Sequence, residues 1–274
     1  MYKIGLVGYG HVGKAMHNIF GDWVKAIYDP YAEKPADVEF FNKKDAFNQV
    51  DLAIINVMTK ENKDGDCDIS IVDESVDWLV KIGCPIILIK STVIPGTIDS
   101  LKQKYNFSHI VFSPEYFGES KYFMPKEWND PKAWPFHIFG GDEKDTAKCV
   151  EFFKPIFNPR TFYYQIDAKT AELIKYAENA WGATKVIWAN EFFDICKALG
   201  VNFDKMREGW ALDPRVEKMH TSVYEKNRGF GGKCFPKDIK AIIKKSQQAG
   251  YDPKFLKEVW NSNVRFRKEG KTIE

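Results

Sequence analysis

The chain has 274 residues, 44% of them hydrophobic, with 40 Lys+Arg against 38 Asp+Glu for a formal charge of +2. That is material for one large domain or two modest ones and excludes a disordered chain. The balanced charge gives no broad electrostatic reason to bind nucleic acid or an acidic membrane, and no apolar run approaches the ~18 residues of a membrane span. The N-terminus opens on a strand pattern without a signal peptide. Five scattered cysteines, Cys67, Cys84, Cys149, Cys196 and Cys234, point to a reduced, cytoplasmic protein.

Short β-branched or aromatic runs bounded by Gly, Pro or Asp predict strands at 3–7, 24–28, 52–57, 86–90, 110–113 and 137–139. Helical patterns at 11–20, 72–82 and 143–153 lie between them. Such alternation argues for a parallel sheet with helices on both faces. The pattern changes after Asp167: residues 167–199 hold no Pro and one glycine, Gly182, and stop at Gly200. One helix of up to about 50 Å fits that stretch, and shorter helices are expected at 236–249 and 253–267. The expectation is an α/β chain, with a Rossmann-type doubly wound sheet over 1–164 and a helical domain over 165–274 opened by the long helix. On that helix Ile174, Ala177, Trp181, Trp188, Phe192 and Ile195 share a face. They either pack on the helices that follow or form a two-fold seam.

Gly8-Tyr9-Gly10-His11-Val12-Gly13 follows the first strand and opens a helix. Glycines there permit a tight turn, close backbone approach to a pyrophosphate and close helix–strand packing, while the helix start offers N–H donors. Asp29 ends the second strand, where a carboxylate accepts from a ribose hydroxyl and repels a 2′-phosphate. NAD is therefore the expected cofactor, in preference to NADP.

Cys234 lies in Gly229-Phe230-Gly231-Gly232-Lys233-Cys234-Phe235-Pro236-Lys237-Asp238. Glycines clear the approach to the thiol, Pro236 suits a first helical turn, and two lysines flank it, a setting that lowers a thiol pKa. Cys84, Cys149 and Cys196 read as small buried hydrophobes.

These motifs, with Ser91-Thr92-Val93, Ser113-Pro114-Glu115-Tyr116-Phe117-Gly118-Glu119, the run from Ala171 to Ala180 and Asp213-Pro214-Arg215, resemble the UDP-glucose/GDP-mannose dehydrogenase family in its own order. The resemblance implies oxidation of a nucleotide-sugar C6 alcohol to a carboxylate with two NAD+, UDP-glucose to UDP-glucuronate first among the candidates. It assigns Cys234 as nucleophile, Lys175 and Asn179 as the oxyanion-stabilising pair, and Asp238 as proton-transfer assistant. Glu115 is assigned to thioester hydrolysis, and Thr92 to positioning water and cofactor. It places Thr59 beside the cofactor, and Tyr116, Phe117, Glu119 and Gly231 among the substrate contacts. It also implies a homodimer built on the 167–199 helix. Independently of the family, Lys175 and Asn179 stand i, i+4 on one helix face.

The sequence departs from the family in two respects. Where the family has Thr-Pro after the third strand it has Thr59-Lys60, and it ends before the family's third, C-terminal domain. A short form is expected, in which 121–136 (Tyr122, Phe123, Trp128, Trp134, Phe136) and 216–228 (Lys218, His220, Lys226, Arg228) lie at the mouth of the cleft and contact the nucleotide or cover that surface. Two rival readings are a single-step hydroxy-acid dehydrogenase of related fold and a catalytically weak partner subunit of a full-length enzyme.

Overall fold

The computed structural model describes residues 2–62, 65–116, 132 and 134–269. The chain runs β1 (Ile4–Val7), α1 (His11–Phe20), β2 (Val24–Tyr28), β3 (Phe40–Phe41), β4 (Leu52–Ile55), β5 (Lys60–Glu61), β6 (Cys67–Asp68), α2 (Ser70–Lys81), β7 (Ile87–Ile89), α3 (Thr97–Tyr105) and β8 (Ile110–Phe112). It continues through β9 (Phe136–Gly140), α4 (Glu143–Phe153), β10 (Phe162–Ile166), α5 (Ala168–Leu199), α6 (Phe203–Trp210), α7 (Phe235–Gln248) and α8 (Lys254–Glu269).

Eight strands form one sheet in the order β10-β9-β8-β7-β4-β1-β2-β3. The pairs are parallel except β8 with β9, which meet antiparallel at Phe112 and Gly140. Side chains alternate across a strand, and both faces of this sheet are covered, so the central strands read as unbroken apolar runs. In β4, Leu52 and Ile54 pack in the cluster that holds Met16 and Ile19 of α1 and Phe152 and Phe153 of α4. Ala53 and Ile55 pack in the other, with Val72 and Val76 of α2 and Ile98 and Leu101 of α3. Strand order reverses between β1 and β4, which is where an open α/β sheet leaves a crevice for a ligand.

Helices α1 and α4 take the bounds expected from sequence, and the expected strands all form, several of them shorter. Four strands, β3, β10 and the separate pair β5–β6, and two helices, α3 and α6, lie outside the expected elements. β10 is largely exposed as the last strand of the sheet, so it lacks the continuous apolar run of a central strand. Helices α3 and α6 are short and mostly polar, with few buried residues.

The chain divides into two compact units, the first Met1–Lys60 with Cys67–Lys175, the second Glu61–Asp66 with Tyr176–Glu274. The division falls inside α5 rather than at 164/165, because Ala168 and Ala171 are buried in the core of the sheet. The second unit is helical. Its core joins Ala183 and Ile187 of α5, Ile239 of α7, and Val259 and Phe266 of α8 around Phe230. Among the described residues no helix is long and apolar enough to cross a membrane.

Candidate functional site

In the first unit the glycine turn joins β1 to α1. Gly8 has φ +90°, and a Cβ there would stand 2.9 Å from the Asn56 carbonyl just past β4. A Cβ on Gly13 would meet the Gly8 carbonyl oxygen at 2.2 Å, whereas one on Gly10 would meet nothing within 4 Å. The turn is thus pressed into the β1/β4 switch point with its middle glycine open. Gly10 is the N-cap of α1 and makes no side-chain cap there, and the start of a helix turns its first N–H groups towards an anion. Asp29 accepts from the Tyr9 N–H at 2.7 Å and the Tyr31 N–H at 2.9 Å. It therefore braces the turn, and a carboxylate has lone pairs beyond those two bonds. An open glycine, an uncapped helix start and a carboxylate at the end of β2 fit the pyrophosphate and ribose of NAD.

Thr59 and Thr92 are joined directly, the Thr59 hydroxyl donating to the Thr92 carbonyl at 2.9 Å. Ser91 Oγ donates to the Val57 carbonyl at 2.7 Å, so the loops after β4 and β7 are stitched together. After β8, Glu115 Oε2 lies 3.3 Å from Nζ of Lys90, a buried cation at the end of β7, and Oε1 accepts from the Tyr116 N–H at 2.8 Å. Lys90 also donates to Ser113 Oγ at 3.3 Å. Sequence reasoning missed Lys90, since a lysine closing a strand reads as solvated. Lys90, Glu115, Tyr116, Trp134, Phe136 and His137 line a small hollow. Burial, with Lys90 nearby, pushes His137 down to about 3, so it is neutral there. Tyr116 stacks on Trp134 at 5.9 Å, and Lys175 Nζ sits 4.8 Å from the Tyr116 ring centre. Phe117, Glu119 and residues 121–131 of the aromatic segment lie outside the described residues.

One turn before Lys175, Glu172 is fully buried and accepts from the N–H groups of Gly96 (2.5 Å) and Ile98 (2.8 Å) at the start of α3. Burial pushes its carboxyl up to about 7, against the pull of those two donors.

In the second unit, Cys234 is exposed while Cys196 is buried, and in the first unit Cys67, Cys84 and Cys149 are buried. Burial pushes the Cys84 thiol up to about 12 and raises that of Cys149. Cys234 is the N-cap of α7, with Pro236 in the first turn and its carbonyl accepting from the Asp238 N–H at 2.9 Å. Asp238 is 2% exposed; Lys237 Nζ donates to Oδ1 and Asn179 Nδ2 to Oδ2, both at 2.5 Å. Of the two lysines expected to bias the thiol, Lys233 is exposed and Lys237 is committed to Asp238.

The glycines before Cys234 do not act as the sequence suggested. A Cβ on Gly229 would meet Asn263 Oδ1 at 2.5 Å, and one on Gly231 would meet the Arg267 guanidinium at 3.3 Å. These two make room for α8, and of the three it is Gly232 that faces open space. The basic segment 216–228 is also corrected. Arg228 is buried against Asn190 and Asp194 and cannot hold a pyrophosphate from there. His220 packs its ring 5.1 Å from that of Phe235, beside Cys234, and burial lowers its pKa. Lys218 and Lys226 are exposed.

On α5, Trp181 is 60% exposed and Ile195 40%, so the expected apolar face is not simply core. Trp188 stacks on Phe192 (4.1 Å) and on Trp210 of α6 (4.4 Å).

Comparison with known proteins decides the family. Residues 33–156 match the NAD binding domain, and residues 169–265 the central domain, of the UDP-glucose/GDP-mannose dehydrogenase family. The chain belongs to that family. A UDP-glucose 6-dehydrogenase of Rickettsia typhi is 31% identical over 226 residues, which are 79% of this chain and 50% of that protein. The chain spans about half the length of several curated relatives it matches. A UDP-glucose dehydrogenase structure from Pyrobaculum islandicum superposes with TM-score 0.82 at 23% identity, over 97% of this chain and 68% of that one. A 3-hydroxyisobutyrate dehydrogenase of Mycobacterium tuberculosis superposes at 0.69 and 16% identity, over 99% and 95%. At those identities the two structures speak for the fold alone. NAD is the cofactor of the matched domain.

Proposed function

We propose that this chain oxidises the C6 alcohol of a nucleotide sugar to the carboxylate, taking UDP-glucose to UDP-glucuronate. The observation that carries this reading is Cys234, exposed at the head of a helix whose first turn also holds the buried Asp238. A single-step hydroxy-acid dehydrogenase has no use for such a thiol. NAD+, when bound, accepts one hydride in each of the two oxidations.

In the first oxidation a hydride leaves C6 and the hydroxyl proton is lost, giving the aldehyde. Sγ of Cys234 adds to the aldehyde carbon, and the thiol proton passes to the oxygen to make a thiohemiacetal. Loss of a second hydride and the hydroxyl proton gives a thioester. Water then attacks with Glu115 as base, the C–S bond breaks, and Sγ recovers a proton. The balance is one alcohol, two NAD+ and one water to one carboxylate, two NADH and three protons. Lys175 and Asn179 steady the oxygen as charge develops on it. Asp238, held by Asn179 and Lys237, assists proton transfer through water. The Lys90 ammonium, 3.3 Å from Glu115 Oε2, fixes where that carboxylate stands. Thr92, tied to Thr59, positions water and cofactor.

A homodimer through α5 and a cytoplasmic setting belong to the same reading. The exposed Trp181 and Ile195 support the first, and five unbridged cysteines the second.

The test is stoichiometry. Purified protein with UDP-glucose should form two NADH per carboxylate. One NADH per product would favour the single-step reading, and turnover only after adding a full-length relative would favour the partner subunit.

A further inference from the structure

The loop that delivers Cys234 is held by side chains from two helices of the second unit, and Arg228 is the centre of that hold. Arg228 is 8% exposed. Its Nε donates to Asn190 Oδ1 at 2.6 Å, and its Nη2 donates to the Asn190 carbonyl at 3.1 Å and to Asp194 Oδ2 at 2.8 Å. Its guanidinium carbon lies 5.0 Å from the ring centre of Phe193 on α5 and 4.8 Å from that of Phe266 on α8. A buried guanidinium with a charged acceptor, a bidentate amide and two aromatic faces is rigidly placed.

The residues on either side are fixed by the same helices. Asn190 Oδ1 also accepts from the Gly229 N–H at 3.2 Å, Asn263 Oδ1 from the Phe230 N–H at 2.6 Å, and Asn227 Oδ1 from Arg267 Nη1 at 2.5 Å. Residues 227–230 are therefore anchored one after another. The next four, Gly231 to Cys234, are exposed, and the chain is caught again at Phe235, whose ring stands 6.2 Å from that of Phe230. A four-residue span between two touching anchors has little freedom, so the first anchor sets where the thiol stands.

We infer that Arg228, with Asn190 and Asn263, is a positioning residue for Cys234: it registers the exposed Gly231–Cys234 span against α5 and α8. The inference rests on the reading of Cys234 as the nucleophile for its bearing on catalysis, and on geometry alone for its bearing on the thiol. Arg228 touches neither substrate nor reacting atoms, and acts through the loop.

Arg228→Met keeps the length of the side chain and removes its charge and donors. Alkylation of Cys234 by iodoacetamide, followed by peptide mass well below the melting temperature, should change at least threefold relative to the unmodified protein. With UDP-glucose, kcat should fall at least tenfold while KM for NAD stays within twofold, and Arg228→Lys should restore part of both. Equal alkylation and equal kcat, with only a lower Tm, would overturn the inference and leave Arg228 as a stabilising residue. If Arg228→Met does not fold, Asn263→Ala withdraws only the Phe230 acceptor and is read by the same alkylation. Alkylation needs neither sugar nor NAD. A full two-step oxidation surviving in Cys234→Ser would therefore sink the nucleophile reading while the alkylation result still decided the loop.

Discussion

Each of the two units has a glycine-rich turn ahead of a helix, and the two turns use glycine for different reasons. After β1 the crowding is backbone against backbone: Gly8 against the chain leaving β4, and Gly13 against Gly8 itself. Before α7 the crowding comes from side chains of α8, Asn263 at Gly229 and Arg267 at Gly231. Each turn keeps one glycine with nothing within 4 Å, Gly10 in the first and Gly232 in the second. A packed glycine reports on the scaffold, whereas an open one marks where a ligand can come close to the main chain.

The largest effect should come from Cys234→Ser, which keeps both turns and removes the sulfur. Carboxylate formation should fall on the order of 10³-fold or more, while slow aldehyde-level chemistry persists. Product analysis by mass decides it, and Ser at Cys84, Cys149 or Cys196 should alter stability only.

Next come a packed and an open glycine of the first turn. Gly13→Ala puts a methyl into a backbone carbonyl and should cost about 3 kcal/mol or more in urea unfolding. Gly10→Ala should stay within about 1 kcal/mol yet lose most of the NAD-dependent rise in Tm. Full NAD stabilisation in Gly10→Ala would break the link between open glycine and ligand. In the unmodified protein NADP should raise Tm much less than NAD, because Asp29 repels a 2′-phosphate.

A third test concerns the brace between α5 and α3. Glu172 has a folded value near 7, above the ordinary 4.5, so the folded state holds its proton longer than the unfolded state. Its contribution is fully present below about pH 4.5 and is lost as pH rises through 7, on the order of 3 kcal/mol in all. Asp99 raises the value further, and Lys169 opposes it. His137 works in the other direction, its neutral form losing stability as pH falls below 6.5. Unfolding free energy measured against pH should therefore show a falling component between 4.5 and 7 that Glu172→Gln removes. An unchanged slope in that variant would show that Glu172 does not titrate there.

The smallest effect separates the glycines of the second turn. Gly232→Ala, at φ +79° in open space, should cost about 1–2 kcal/mol from the left-handed backbone alone. Gly229→Ala should cost more, because Asn263 stands in the way as well. Equal costs would mean that α8 yields readily.

What was legible in the sequence is what depends on neighbours along the chain. Apolar runs such as Leu52–Ile55 announce a doubly covered sheet, and the spacing of Gly8, Gly10 and Gly13 announces the turn. Pro236 announces the helix whose N-cap is Cys234, whereas Gly229 and Gly231, read as clearing the thiol, make room for α8 instead. The edge strand β10 was not legible, because one open side leaves it without an unbroken apolar signature. Arg228 and Lys90 were misjudged or missed for a different reason. Each lies where a charge is usually solvated, and its counter-charge is distant in sequence, Asp194 by 34 residues and Glu115 by 25. A local window sees the cation and not the pocket that tertiary structure builds around it.

The short stretch Glu61–Asp66 belongs to the second unit although it is made long before the rest of it. Glu61 pairs with Lys240, 179 residues further on, and Asp66 with Lys244 at 3.3 Å. Closing a loop of that length costs about 4–5 kcal/mol of chain entropy, so these pairs form late and only after α7 has left the ribosome. A fragment beginning at Tyr176 would therefore be an incomplete fold. It would carry Lys240 and Lys244 one turn apart on α7 with their acidic partners missing, two like charges repelling on the same helix face.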